Sequence, residues 1–207
     1  MTNKKGTLII LSGPSGAGKG TLIKLLLAQR QDTVLSVSMT TRAPRTEDVE
    51  GVTYFFRTRE EFEALIAENA FLEYAEYNGN YYGTPIAPVE KWLDEGKNVI
   101  LEIEVCGAEK VMALCRDYAS VFITIPSFAE LERRLRERAS ETEDSIRRRL
   151  AIARDEMAQA HRYDYIVLND ELELAVKRLD TIIDAEAMRY CRMENTVTEV
   201  MNDVSTQ

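Results

Sequence analysis

Short, β-prone and largely apolar runs recur along the chain at wide intervals: Thr7–Leu11, Leu35–Ser38, Val99–Val105, Val121–Ile125 and Tyr165–Leu168. Their Val, Ile and Leu content predicts five strands, and the intervening stretches are long enough for crossover helices. The expected fold class is α/β, a parallel sheet with helices on both faces. Helix starts carry their own marks. Thr58 with Glu61 and Ser127 with Glu130 have capping-box spacing. Thr84-Pro85 offers an N-cap followed by proline at the first helical position.

Two segments break the alternation. Met39 to about Asn98 holds too much material for one crossover. It contains aromatic β-prone pieces (Tyr54-Phe55-Phe56, Phe71-Leu72-Glu73-Tyr74, Tyr81-Tyr82) and a turn signal at Asn78-Gly79-Asn80, which predicts an inserted α+β unit. Arg133 to Arg154 packs eight of the chain's 26 basic residues into one arginine-rich stretch. Beyond about Cys191 the tail is polar and reads as a loosely docked helix end.

Composition narrows the class. With 207 residues, 45% of them hydrophobic, the chain suits one compact domain with attached subdomains. Lys and Arg number 26 against 35 Asp and Glu, a net charge of −9, and that acidity opposes general nucleic-acid binding. Leu8-Ile9-Ile10-Leu11 is far short of a membrane span or a signal-peptide core. Cys106, Cys115 and Cys191 lack metal-ligand spacing and suit a reducing cytoplasm. Cys106 reads as packing, and His161, the single histidine, as structural.

The strongest chemical signal is Gly13-Pro14-Ser15-Gly16-Ala17-Gly18-Lys19-Gly20-Thr21, which follows the first strand and precedes a helical pattern. Glycines let successive backbone N–H groups converge on an anion, and the helix N-terminus adds partial positive charge. Lys19 is expected to reach the terminal phosphates of a nucleotide such as ATP. Position 20 is glycine and the hydroxyl arrives at Thr21, so a bound Mg²⁺ is expected to be held mainly by phosphates and water.

A phosphate loop alone fits a GTPase, a motor or several kinases, but the guanine-reading Asn-Lys-x-Asp of GTPases is absent. Three further segments, Ser36-Val37-Ser38-Met39-Thr40-Thr41-Arg42-Ala43-Pro44-Arg45, Gly79-Asn80-Tyr81-Tyr82-Gly83-Thr84 and Leu101-Glu102-Ile103-Glu104, resemble the signature segments of guanylate kinases. The resemblance runs from about residue 6 to 189. It implies transfer of the γ-phosphoryl of ATP to GMP, and to dGMP, with Mg²⁺ as cofactor. It also implies three parts: a five-stranded phosphate-loop core (1–38, 97–132, 156–207), a GMP-binding insertion (39–96) and a helical lid (133–155). The implied partners are ATP and GMP, without nucleic acid or membrane; self-association stays open.

The resemblance assigns Arg42, Arg45, Tyr54 and Tyr82 to the GMP phosphate. Two guanidinium forks around a proline and two phenolic donors suit a dianion. It assigns Ser38, Glu73 and Thr84 to the base, since a carboxylate can accept from the N1 and N2 donors of guanine. Glu102 and Glu104 alternate out of Val99–Val105 and are expected on one strand face. They are candidates for the GMP side and for water-mediated magnesium contact. Arg134, Arg138 and Arg149, across a polar turn at Ala139–Glu143, are placed around the ATP phosphates as catalytic cations beside Lys19 and Arg42. Arg133, Arg136, Arg147 and Arg148 read as a solvated face laced with glutamates. Asn169 is implied near the ATP adenine, although Asn169-Asp170 is also an ordinary turn and N-cap. Two other functions share this scaffold: a non-catalytic protein-binding module and a sugar-phosphate kinase.

Overall fold

A computed structural model describes residues 5–137 and 142–203. Five parallel strands, β1 (Leu8–Ser12), β2 (Thr33–Leu35), β7 (Asn98–Glu102), β8 (Ala119–Thr124) and β9 (Tyr165–Leu168), form a sheet in the order β2-β7-β1-β8-β9. Successive side chains of β1 enter opposite cores. Ile9 and Leu11 pack with Leu22, Leu26, Leu179 and Ile183, which lie on α1 (Lys19–Gln29) and α7 (Leu172–Ala187). Leu8 and Ile10 meet Val89, Leu93 and Val111 of α3 (Ile86–Asp94) and α4 (Val105–Leu114). Burial on both faces is why β1 reads as a solid apolar run.

A second, four-stranded sheet in the order β4-β3-β6-β5 uses β3 (Met39–Thr40), β4 (Phe55–Phe56), β5 (Phe71–Tyr77) and β6 (Asn80–Pro85). Asn78 and Gly79 take positive φ, 49° and 75°, at the β5–β6 hairpin, as a tight primed turn requires. Helix α2 (Arg59–Ala67) covers this sheet through Phe62, whose ring stacks on Phe71 and Tyr81 at 4.3 and 5.2 Å. Its capping box is complete: Thr58 Oγ1 accepts the Glu61 N–H and Glu61 accepts the Thr58 N–H.

Helices α5 (Phe128–Glu137) and α6 (Glu143–Ala158) carry the arginine-rich stretch. Ser127 caps α5 by accepting the Glu130 N–H, while the Glu130 carboxylate turns to Arg133 and Arg134 instead of closing a box. Thr142 caps α6. Arg138 and most of the expected turn at Ala139–Glu143 lie outside the described residues. As expected, Arg133 and Arg136 pair with neighbouring glutamates and Arg147 lies 3.9 Å from Asp144. The last helix, α8 (Tyr190–Asp203), has no fully buried residue, but its first turn is anchored: the Arg192 side chain is 5% exposed and pairs with Glu186 and with Asp117, so the expected loose docking does not describe its start.

Besides the open Ser127–Glu130 box and the anchored start of α8, four expectations are corrected. The second strand lies at Thr33–Leu35, earlier than Leu35–Ser38, because β2 pairs with Asn98–Ile100 and the chain then leaves toward the second sheet. β7 ends at Glu102 and Glu104 is the N-cap position of α4, so the two carboxylates do not share a strand face. Thr84 is a β6 residue whose hydroxyl donates to Glu73, and Pro85 takes the cap position of α3. Cys106 is exposed, being on the side of α4 away from buried Val105, Gly107 and Ala108.

Candidate functional site

The phosphate loop leaves the C-terminal end of β1, the edge at which ligands approach an open parallel sheet. Gly13, Gly16 and Gly18 have φ of 147°, 95° and 88°. Gly13 is the most constrained: a Cβ there would lie 2.2 Å from the Ile123 carbonyl oxygen. Gly13→Ala is expected to lower Tm by at least about 4 °C in a thermal melt, since backbone strain alone costs roughly 1–3 kcal/mol. An unchanged Tm would contradict the close approach.

Lys19 Nζ donates to Gly13 O at 2.7 Å and to Pro14 O at 3.3 Å, so its ammonium already lies over the loop. A polar cleft of about 350 Å³ opens there, lined by Ser15, Gly16, Gly18, Lys19, Gly20, Thr21 and Glu102. A larger cavity, about 410 Å³, lies against Phe55, Leu65, Phe71 and Ile86; its mainly apolar lining is unsuited to a polyphosphate.

Arginines from both helices of the arginine-rich stretch converge on the loop. Arg134 donates to Ala17 O at 3.4 Å and to Asn169 O at 3.0 Å, and its Nε is held by Glu130 at 2.7 Å. The Arg133 and Arg134 guanidiniums pull the Glu130 carboxyl down to about 2. Arg149 reaches Ser15 Oγ at 2.6 Å. Asn169 is buried and its side-chain amide donates to Ala17 O at 2.6 Å, so it buttresses the loop directly.

Glu102 is open to the cleft, yet the surrounding protein raises its pKa above the ordinary carboxylate value, with Lys19 acting in the opposite direction. A Cβ on Gly20 would sit 4.0 Å from Glu102 Oε2. The cleft therefore offers one carboxylate and the exposed Thr21 hydroxyl. Among the described residues no cluster of three His, Cys, Asp or Glu could hold a metal unaided. This donor set fits Mg²⁺, which keeps most of its waters and takes its remaining ligands from phosphates.

The second sheet gathers the other expected residues. Glu73 faces Thr84 across the β5–β6 ladder and accepts its hydroxyl at 2.8 Å. Burial is the main cause that raises the Glu73 pKa; Thr84 and Lys110 oppose it and Glu104 adds to it. Gly107 lets this carboxylate lie against α4, because a Cβ there would be 3.2 Å from Glu73 Oε2. Tyr54 and Tyr82 pack edge to face at 6.0 Å, and the Arg42 guanidinium lies 5.4 Å from the Tyr54 ring centre. Ser38 is half-buried and its carbonyl accepts the Phe55 N–H, which ties β4 to the same patch. Arg45 is exposed at the rim.

Two acidic partners escape a reading of the sequence. Asp48 pairs with Arg42 at 2.8 Å; its only signal is an acidic side chain three residues after Arg45, where a turn-forming Asp bonds backbone N–H. Glu156 stands seven residues after Arg149 on α6, hence on the same helix face. It feels Lys19 and the Ser15 N–H, and its buried Oε2 has no hydrogen-bond partner among the described residues. Among the described residues, the hydrogen-bond partner of the His161 ring is the Ala158 carbonyl, at 2.8 Å.

A family model described as guanylate kinase matches residues 5–186. The guanylate kinase of Clostridium perfringens strain SM101 is 50% identical over 201 residues, 97% of this chain and 93% of its own length. That of Halalkalibacterium halodurans is 48% identical over 197 residues, 95% of each chain. The crystal structure of guanylate kinase from Anaplasma phagocytophilum aligns with a TM-score of 0.71 at 36% identity, covering 91% of this chain and 90% of that one.

Proposed function

The chain belongs to the guanylate kinase family, and from that premise we propose how its residues divide the work. The reaction is ATP:GMP phosphotransfer, giving ADP and GDP. Residues 1–38, 97–132 and 156–207 form the core, 39–96 the GMP-binding insertion and 133–155 the lid. The protein works in the cytoplasm on free nucleotides, with neither nucleic acid nor membrane as partner; no described helix is long and apolar enough to span a bilayer.

ATP phosphates lie on the amides of residues 13–21, with Asn169 bracing the loop. Lys19, Arg134 and Arg149 move from loop oxygens onto the phosphates, joined by Arg138. Charge in the transition state spreads over the equatorial oxygens of the transferred group, so fixed cations and alignment supply most of the catalysis. Mg²⁺, when bound, neutralises phosphate charge, and Glu102, with Glu104 further out, orients its waters. Arg42, Arg45, Tyr54 and Tyr82 take the acceptor phosphate, placing it opposite the loop; Glu102 lies between the two nucleotides.

The single observation that carries guanine selection is the half-buried Glu73 carboxylate held by Thr84. Its free lone pairs suit the N1–H and N2–H donors of guanine, with Ser38 at the edge of the same pocket. Adenine presents an acceptor at N1, leaving the carboxylate opposed by a lone pair.

Acceptor profiling with GMP, AMP, CMP, UMP and a sugar phosphate under MgATP tests this reading. GDP formation at least about tenfold above the other products is expected, the least that one unpaired buried group enforces. Equal turnover of AMP, or preference for the sugar phosphate, would overturn it. A protein-binding module has no need for Lys19, Arg134 and Arg149 gathered on an intact phosphate loop.

A further inference from the structure

We propose that Asp48 is a positioning residue for the acceptor phosphate, holding Arg42 and the Arg45 backbone in the arrangement that GMP meets. The inference rests on the reading that Arg42 and Arg45 grip that phosphate.

The geometry is compact. A single oxygen of Asp48, Oδ2, accepts from Arg42 Nη2 at 2.8 Å and from the Arg45 N–H at 2.7 Å. The pair is well covered, with side-chain exposures of 16% for Arg42 and 7% for Asp48. Arg42 is confined further. Its Nη1 donates to Ala43 O at 2.8 Å, and its guanidinium lies 5.4 and 5.8 Å from the Tyr54 and Phe56 ring centres. Thr40 Oγ1 accepts the Arg42 N–H at 3.1 Å and anchors this segment to β3. A guanidinium has five N–H donors, and these contacts use one on Nη1 and one on Nη2. Three remain for a phosphate.

An internal carboxylate beside a phosphate-binding arginine could instead compete with the ligand. Position decides against competition here. Releasing Arg42 would require Asp48 to leave a covered site and abandon the Arg45 amide as well. The Arg45 amide and then the Arg42 guanidinium also keep its carboxyl below the usual range, so it remains charged near neutral pH. Asp48 therefore stays in place when nucleotide binds. It fixes one edge of the Arg42 fork, and the ordering of a long side chain precedes the ligand.

The test compares GMP with guanosine, which shares the base and lacks the phosphate, by titration calorimetry on the full chain. For Asp48→Asn the GMP affinity is expected to fall about tenfold or more while guanosine affinity stays within about twofold. In steady state KM for GMP rises and KM for ATP does not. Asp48→Glu keeps the charge but lengthens the arm, so its GMP loss is smaller than that of the Asn variant and again spares guanosine. It carries the test alone if Asp48→Asn does not fold. A GMP-to-guanosine affinity ratio unchanged in the folded variant, or a GMP affinity that rises, overturns the proposal. Arg42→Met separates the two levels. If it loses GMP selectively while the Asp48 variants bind normally, the positioning role fails alone. If Arg42→Met also binds GMP normally, the assignment of Arg42 to the phosphate fails, and the proposal with it.

Discussion

Replacing Lys19 with methionine is expected to lower kcat at least about hundredfold, close to 2.7 kcal/mol of transition-state stabilisation. The change removes an ammonium that lies 2.7 Å from Gly13 O, directly over the loop proposed to receive the phosphates. Methionine keeps the length of the stem and removes only the charge and its donors. Stability should hardly move, with Tm within about 4 °C of the parent, the scale of 1 kcal/mol in a chain of this size. Loss of a cation between Glu102 and Glu156, both already shifted upward by burial and both sensing Lys19, sets the direction of whatever shift remains: slightly down. Near-normal kcat with an intact melting curve would refute the role of Lys19.

Glu73→Gln is expected to move function and stability in opposite directions. On the proposed reading of Glu73, the two guanine donors then lose a charged acceptor, and the amide turns an N–H toward one of them. The kcat/KM for GMP should fall roughly fivefold to about 150-fold, the equivalent of about 1–3 kcal/mol, with little change in KM for ATP. Stability follows from the direction of the pKa shift. Burial raises the Glu73 pKa above its ordinary 4.5, so folding favours the protonated form. Below about pH 4.5 wild-type Glu73 is protonated in both folded and unfolded chains and carries no penalty. As pH rises through the folded-state pKa the group must ionise in a half-dry site, and the fold loses stability. The Gln variant is neutral throughout. Its Tm should therefore exceed that of wild type by a few degrees at pH 7–8, with the gap closing as pH falls toward 4.5. Melting curves across that range check the sign, and a gap that widens toward acid would contradict the burial of Glu73.

How much of this was legible in the chain depends on the range of the interaction. β1, β8 and β9 lie within a residue or two of their expected places; double-sided burial marks β1 and β8, while the edge strand β9, with Ile166 exposed, is marked by its β-prone Tyr-Ile-Val run. The phosphate loop is equally local, a contiguous string with strand before and helix after. Where the apolar pattern continues through a change of backbone, the sequence misleads. Ile103 and Val105 prolong the β7 pattern, yet Val105 opens α4, and the burial of Val105 is that of a helix residue. Thr84-Pro85 likewise satisfies a cap pattern, but the ladder partner across from Thr84 is Glu73, and that side chain claims the hydroxyl. The arginines and the glutamates lacing the solvated helix face were readable, while Asp48 beside Arg42 and Glu156 near Lys19 were not. Asp48 is one of 35 acidic residues, and little beyond its spacing from Arg45 tells it from the others. Glu156 meets the phosphate loop only after more than a hundred residues have been folded back.

Lys19, Arg134 and Arg149 each rest on an oxygen of the loop that they are to serve: Gly13 O, Ala17 O and Ser15 Oγ. On the proposed reading, a triphosphate replaces these neutral oxygen acceptors with charged ones, so each cation exchanges one oxygen partner for a more strongly charged one. Long flexible arms are thereby immobilised during folding, before any encounter, so the entropy cost of association should be smaller than three free cationic side chains would incur, while each loop bond given up offsets part of the heat of the new one.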